Sequence, residues 1–516
     1  MPAKMVGVPA ATRGDVGSGF AIAGAPAAAA TPLPEGFGLI MDPSTATFDG
    51  GRVMMGGSPL RLLRLSRRAC ALTDAWNRGT TVSGRRSEQL LARRLVSSGV
   101  FLPRPRSATF AARDVTVVVP VRDRPEQLAR LLARLEGLSC IVVDDASTDA
   151  ALTEEITRRA GASFIGLPVN RGPSSARNRG LAAASTPLVA FVDSDCIPSD
   201  GWLGPLLGYF DDPLVALVAP RVVPAPAYNT LTRYEGLRSP LDMGAAEGLV
   251  RPLSRIPYVP GAAIVIRRAV AGHLLFDPEM RGGEDVDLVW RLCAAGWDVR
   301  YVPRCTVVHE GPSRLRPWLS RHAFYGTTAG PLASRHPAAL APVSASAWTV
   351  AAWVLALARL PVTSLTAVAA SILVLAGRLQ GLVGEPVKVA AAIAGGGTAK
   401  SSMPALRGLT RAWAPALLLG LCFRRTRRVS AIALLAPAVD EWVAKPCALD
   451  PARFAALHAL DDVAYGSGLW AGCLKARTVR PLLPCVTFRS RVWSSRSLRR
   501  QLSEHGGDGA IPREAP

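Results

Sequence analysis

At 516 residues the chain is too long for one ordinary domain, and its 49% apolar content excludes a wholly disordered protein. Its formal charge is +21, carried almost wholly by arginine, for only Lys4, Lys388, Lys400, Lys445 and Lys475 are lysines; with no basic stripe interleaved by aromatics, no nucleic-acid partner is expected, and anionic lipid, a phosphorylated small molecule or simply a general Ala/Arg/Gly/Pro-rich composition accounts for the charge. The nine cysteines are scattered, with no C-x-x-C pair and no metal-finger spacing, which points away from a disulfide framework and toward reduced thiols in the cytosol.

In chain order, residues 1–32 form an Ala/Gly-rich stretch without the basic-then-apolar pattern of a secretion signal, and a disordered tail is expected. Over residues 33–105, the "DGG" after Phe48 predicts a turn between two short strands. Two helices follow, "SRRACALTDAWNRG" and "RRSEQLLARRLVSSGVF", the second stopping at Gly99. This is the pattern of a small winged-helix-like module. Leu90, Leu91 and Leu95 supply its packed helical face, which assigns Arg85, Arg86, Arg93 and Arg94 to the solvated side.

"PRPRSATFAARD" is a linker into a domain spanning 113–335. There "VTVVV" and "CIVV" are β-branched runs of the kind buried in parallel sheets, and "PEQLARLLARL" is an amphipathic helix with Pro125 in its first turn. The alternation continues through "SFIGLP", "SSARNRGLAAA" and "PLVAFVDSD", which predicts an α/β, doubly wound domain with its ligand at the carboxyl ends of the strands. Neither G-x-x-x-x-G-K-[ST] nor a G-x-G-x-x-G after the first strand is present; "PVRDRPE" stands in that position.

Carboxylates gather where that rule puts a ligand. Asp144 and Asp145 end the second strand, and Asp193 and Asp195, one residue apart, end "PLVAFV". Such a pair marks either a loop on a solvated edge or a site for a positive partner, and Mg²⁺ or Mn²⁺ would suit the second, because an acidic rim holds a diphosphate only through an intervening cation. In "MRGGEDVDLVWRLCAAGWDVRYVP", Glu284 and Asp285 open a helix after Gly282 and Gly283, where helix capping is the alternative reading. His309 ends the next strand, "RYVPRCTVVHEGPS", on the same lip, while Trp290 and Trp297 beside Leu288 and Leu292 are assigned to the core.

The ordered motifs "VVVPVRDR", "VVDDASTD", "NRGPSSARNRG", "FVDSD", "GGEDVDLVWR" and "VVHEGPS" resemble those of the family 2 glycosyltransferases of GT-A fold, over roughly residues 113–315. The resemblance implies a UDP-sugar donor, a divalent metal and an inverting single displacement. It assigns the nucleotide-sugar to Pro120, Asp144, Asp145, Arg177 and Asp193, the metal to Asp195 and His309, and general-base catalysis to Asp285 with Glu284 beside it. "YVPGAAIVIRR" resembles the family's acceptor-side segment, where Gly261 would let substrate approach the backbone; an ordinary turn is the alternative.

Residues 337–480 change character, toward a helical, partly apolar C-terminal region. "PAALAPVSASAWTVAAWVLALA" has 22 uncharged residues and "LPVTSLTAVAASILVLAG" has 18, lengths at the threshold for crossing a bilayer. A membrane hairpin and a buried bundle both stand open. "FRRTRR" after "WAPALLLGLC" suits an anionic lipid surface, so contact with the inner face of the membrane through 337–428 is an expectation. Asp461 and Asp462 of "LDDVAYG" are assigned to helix capping or to a salt bridge with the basic, flexible tail expected over 481–516. No Q-x-x-R-W motif of processive synthases follows the base. The layout over 33–480 resembles instead the mycofactocin-biosynthesis branch of the family, implying transfer of glucose from UDP-glucose to a peptide-derived redox cofactor, as a β-linked oligosaccharide. The alternative is a membrane-associated transferase acting on a lipid or cell-wall polysaccharide.

Overall fold

The computed structural model describes residues 31–57, 60–271, 275–445 and 449–487; nearly all of both expected tails lies outside them. The first module holds β1 (Gly38–Met41), β2 (Ala46–Phe48), β3 (Val53–Gly56), β4 (Arg61–Arg64), α1 (Arg67–Asn77), α2 (Arg86–Ser98) and β5 (Phe101–Arg104). The "DGG" turn joins β2 to β3, with Phe48 opposite Val53, and β4 adds a third strand to this sheet where two strands were expected. β1 pairs separately with β5. Ser66 caps α1 by accepting the Ala69 amide, and Gly99 ends α2 in the left-handed conformation a helix stop requires. Trp76, Leu95, Val96 and Phe101 fill the core between them.

One expectation for this module fails. Arg93 is not on a solvated face: it is 2% exposed, and its two terminal nitrogens donate to Asp212 at 2.7 and 2.6 Å, while Nε donates to the Thr31 carbonyl. Asp212 belongs to the following domain, so the side of α2 read as solvated is an interdomain contact. Arg85, Arg86 and Arg94 are exposed as expected.

The second domain builds a nine-stranded mixed sheet. One parallel part comes from β6 (Val115–Val121), α3 (Pro125–Arg134), β7 (Ser139–Asp144), α4 (Ala150–Arg159), β8 (Ser163–Gly166), α5 (Pro173–Ala183) and β9 (Leu188–Val192). The remainder is β10 (Cys196–Pro198), α6 (Gly204–Leu207), β11 (Val215–Pro224), α7 (Thr230–Arg238), β12 (Gly248–Leu249), β13 (Ala263–Arg267), α8 (Glu284–Ala294) and β14 (Asp298–His309). The strand order is β10-β14-β11-β13-β9-β6-β7-β8, with β12 on β14. β13 runs antiparallel to β9 and β10 antiparallel to β14, so the sheet is mixed and not wholly parallel. Apolar residues pack on both faces, including Val117, Val119 and Val142 on one and Val118, Phe191 and Ile264 on the other. Trp290 and Trp297 are core residues, as read from their spacing.

The rest is mostly helical: α9 (Leu315–Thr327), α10 (Ala329–Arg335), α11 (Ala347–Leu357), α12 (Pro361–Leu379), α13 (Pro386–Ala390), α14 (Gly396–Gly420), α15 (Arg427–Ala444) and α16 (Pro451–Lys475). A short β15 (Ser344–Ser346) pairs in parallel with β16 (Cys485–Thr487), so three residues of the stretch assigned to a flexible tail form a strand. The stretch of 22 uncharged residues contains only the 11-residue α11, about 16 Å long and too short to cross a bilayer, because Pro337, Pro342 and β15 precede it. Among the described residues, α12 alone is long and apolar enough to cross. α16 lies so close to α9 that a Cβ on Gly468 would fall 1.8 Å from the Ala323 carbonyl oxygen and one on Gly472 2.3 Å from that of Thr327, while Gly466 of the same "YGSGLWAG" faces the Arg411 carbonyl of α14.

Asp461 and Asp462 do not cap a helix, and among the described residues their cationic partners come from other helices and not from the tail. They are buried in mid-α16, where Arg238 donates to both at 2.8 Å and His322 Nδ1 lies 2.5 Å from Asp461. Burying two adjacent carboxylates requires nearby cations, and α7 and α9 carry them.

Candidate active site

The register of the sheet assembles the acidic rim. The loops after β6, β7 and β9 open on one edge; β13 brings the Ala262 carbonyl to accept from the Asp193 amide at 2.9 Å; and β10 sets Cys196 opposite His309. A cavity of about 1360 Å³ lies there. It is lined by Pro120, Asp145, Arg177, Asp193, Asp195, Glu284, Asp285 and His309, eight of the nine residues singled out from sequence. Asp144 does not line it. That side chain is 1% exposed and accepts the hydroxyl and amide of Ser147, so it fixes the turn after β7. Its neighbour Asp145 accepts the Arg171 and Gly172 amides at 2.8 and 2.7 Å, which anchors the loop ahead of α5 and leaves lone pairs toward the cavity.

The repulsion between Asp193 and Asp195 is relieved by two arginines. Arg177, buried on α5, donates to Asp193 at 2.5 Å and to Glu284 at 2.9 Å. Burial opposes its charge, but Asp193 and Glu284 more than offset this and keep it protonated. Burial still pushes Asp193 above the ordinary carboxylate range. Burial also works against Asp195, yet His309, Arg124 and Arg321 together hold it below that range. Arg124 donates to Asp195, and His309 Nε2 lies 3.6 Å from the same carboxylate. Burial, partly countered by Asp195, lowers the pKa of His309 and favours the neutral imidazole.

Glu284 and Asp285 open α8 after Gly283, whose φ of +76° only glycine adopts freely. Their environments differ. Glu284 is committed to Arg177, whereas Asp285 accepts the Gly261 amide at 2.7 Å with its other oxygen on the Val286 amide. Burial, with the Glu284 charge adding to it, pushes the Asp285 carboxyl up to about 6, against the pull of those two amides. A Cβ on Gly261 would stand 3.0 Å from the Asp285 Cβ, so glycine there permits the close approach. A half-buried carboxylate near neutrality on the wall of this cavity is equipped to accept a proton.

Sequence reasoning missed several wall residues. Arg124 stood in the quoted "PVRDRPE", and its place just ahead of the α3 proline was the available signal. Arg321, Tyr258, Tyr325, Arg411 and Tyr465 come from distant segments. The guanidinium of Arg411 lies 4.2 Å from the centre of the Tyr465 ring.

Asp195 and His309 fit a hard divalent cation in part. They offer one carboxylate and one imidazole, the few protein donors such an ion keeps when substrate phosphates and water complete its shell. Among the described residues no group of three or more His, Cys, Asp or Glu side chains is arranged to hold a metal.

Residues 116–275 match the model of Glycosyl transferase family 2. Over 493 residues the chain is 40% identical to the pre-mycofactocin glycosyltransferase of Mycobacterium tuberculosis, covering 89% of this chain and 99% of that one. It is 28% identical over 213 residues to the succinoglycan biosynthesis protein ExoU of Rhizobium meliloti, covering 38% of this chain and 61% of that one. Among solved structures, the mannosyltransferase PcManGT of Pyrobaculum calidifontis, in complex with GDP-Man and Mn²⁺, is 20% identical, with a TM-score of 0.33 over 66% of this chain and 92% of that one. The mixed α/β sheet is of the GT-A type.

Proposed function

Because the chain belongs to glycosyltransferase family 2, we propose that it moves glucose from UDP-glucose to a mycofactocin-type, peptide-derived acceptor, extending a β-linked oligosaccharide with inversion at the anomeric carbon. The observation that carries the mechanism is Asp285, a half-buried carboxyl raised to about 6 on the same cavity as Asp193 and Asp195. For acceptor and donor, support comes from the likeness to the pre-mycofactocin enzyme over 99% of its length.

In this reading Pro120 and Asp145 border the nucleotide, and Asp193, steadied by Arg177, meets the ribose. Asp285 accepts the proton of the acceptor hydroxyl as that oxygen attacks the sugar. No enzyme nucleophile is needed, because one displacement inverts the centre. Glu284 acts through Arg177, holding it between the two acidic segments. Asp195 and His309 would hold Mg²⁺ or Mn²⁺, which when bound neutralises the charge developing on the departing diphosphate. Arg124, already on Asp195, is placed to exchange that carboxylate for a phosphate oxygen.

UDP-glucose hydrolysis without acceptor tests the donor half. It is expected to stop on chelation, to return with Mn²⁺ or Mg²⁺, and to fall at least ~10²-fold in Asp195→Ala. Hydrolysis indifferent to chelation and to that substitution would remove the metal from the proposal. Mass spectrometry of the small-molecule pool, with and without the protein, tests the acceptor. Hexose increments on one redox-active aglycone are expected, whereas increments on a lipid or polysaccharide fraction would replace it.

A further inference from the structure

The loop joining α14 to α15 carries apolar and basic residues together, all facing out. Leu418, Leu419, Leu421 and Phe423 are exposed at the end of α14, and Arg424, Arg425, Arg427 and Arg428 follow, also exposed. α15 then continues the apolar surface. Val429 (68% exposed), Ile432 (67%), Leu435, Val439 and Val443 (71%) recur every three or four residues along its outer side. The opposite side, with Ser430, Leu434 and Ala438, is buried in the protein. A helix in water places its apolar stripe inward, and this one presents a second apolar stripe outward. Exposed apolar area of this extent marks a contact surface.

We propose that this hairpin tip docks on the surface of a bilayer with anionic headgroups. The apolar side chains enter the boundary of the acyl region, while the four guanidiniums stay at phosphate depth. The charges select the occupant: four arginines with no acidic residue among positions 418–439 would repel a second copy of the same tip and complement lipid phosphates. The attachment lies on one leaflet. β15, ahead of α11, pairs with β16, which follows α16. After α12, the Gly384 amide donates to Asp49 of the first module, and Leu375, Leu379 and Val389 pack on Val53 and Leu62. The chain on both sides of α12 therefore returns to one body, and the 11-residue α11 is too short to supply a second crossing. Exposed Val362 and Leu365 on α12 suit the same environment without spanning it.

Flotation of the full chain with vesicles tests this independently of catalysis. Co-flotation is expected with phosphatidylcholine vesicles containing phosphatidylglycerol, and much less with phosphatidylcholine alone. Replacing the four arginines (R424S, R425S, R427S and R428S) is expected to lower partitioning at least ~10-fold. Leu418→Ser with Leu419→Ser and Phe423→Ser, charges intact, is expected to do the same. Both variants should keep the wild-type melting temperature and UDP-glucose hydrolysis. The proposal fails if the wild type stays in the bulk with both vesicle types, or if either variant floats as well as wild type. A wild-type dimer that the apolar variant dissociates, with no vesicle binding, would assign the surface to a second copy.

Discussion

Asp285→Asn is expected to lower sugar transfer by ~10²–10⁴-fold, the contribution of a positioned general base, while leaving UDP-sugar affinity nearly intact. The substitution keeps the shape of the side chain and an oxygen for the Gly261 amide at 2.7 Å, gives up the acceptor for the Val286 amide, and removes the ability to take the acceptor's proton. Single-turnover transfer alongside UDP-glucose titration separates the two quantities. The same residue sets the acid limb of the pH profile. Its pKa in the fold is about 6, so protonation disables the base as pH falls through that value, and kcat/KM should decline below it. The sign for stability is the reverse. A carboxyl raised above its unfolded value stabilises the fold below that unfolded pKa, and this contribution is lost as pH rises through about 6. The melting difference between Asp285→Asn and wild type should therefore move in the variant's favour between pH 5 and pH 8. Near-normal transfer by the variant would take Asp285 out of the mechanism.

The second large effect concerns stability. Arg93→Ala is expected to destabilise the protein by about 3–5 kcal/mol, because it leaves Asp212 buried without its bidentate partner. Both side chains are 2% exposed, so water cannot take the place of the lost guanidinium without opening the contact between α2 and the sheet domain. Denaturant unfolding monitored separately on the two domains measures the loss. Removing both charges in Arg93→Met with Asp212→Asn should recover much of it, since no unpaired charge then remains. A loss below about 1 kcal/mol, the range of exposed ion pairs, would show that the pair is solvated in solution.

Local sequence determined much of this protein. Continuous β-branched runs gave the strands that carry the rim, helical spacing gave α2, α3 and α8, and eight of the nine residues singled out do line one cavity. Those features are short-range: a strand end fixes where its terminal carboxylate emerges, and Gly283 fixes how α8 begins. What pattern could not decide was which cation serves which acid. Arg93 reads as a solvated helix position until Asp212, 119 residues away, is placed against it. Asp461 and Asp462 read as a cap until Arg238 and His322 arrive from α7 and α9. Asp144 and Asp145 are adjacent in sequence, yet the turn at Ser147 takes one and the cavity receives the other. Periodicity reports which side of an element is apolar. Pairing of buried charges depends on distance through space in a medium that screens poorly, and only the tertiary structure sets that distance.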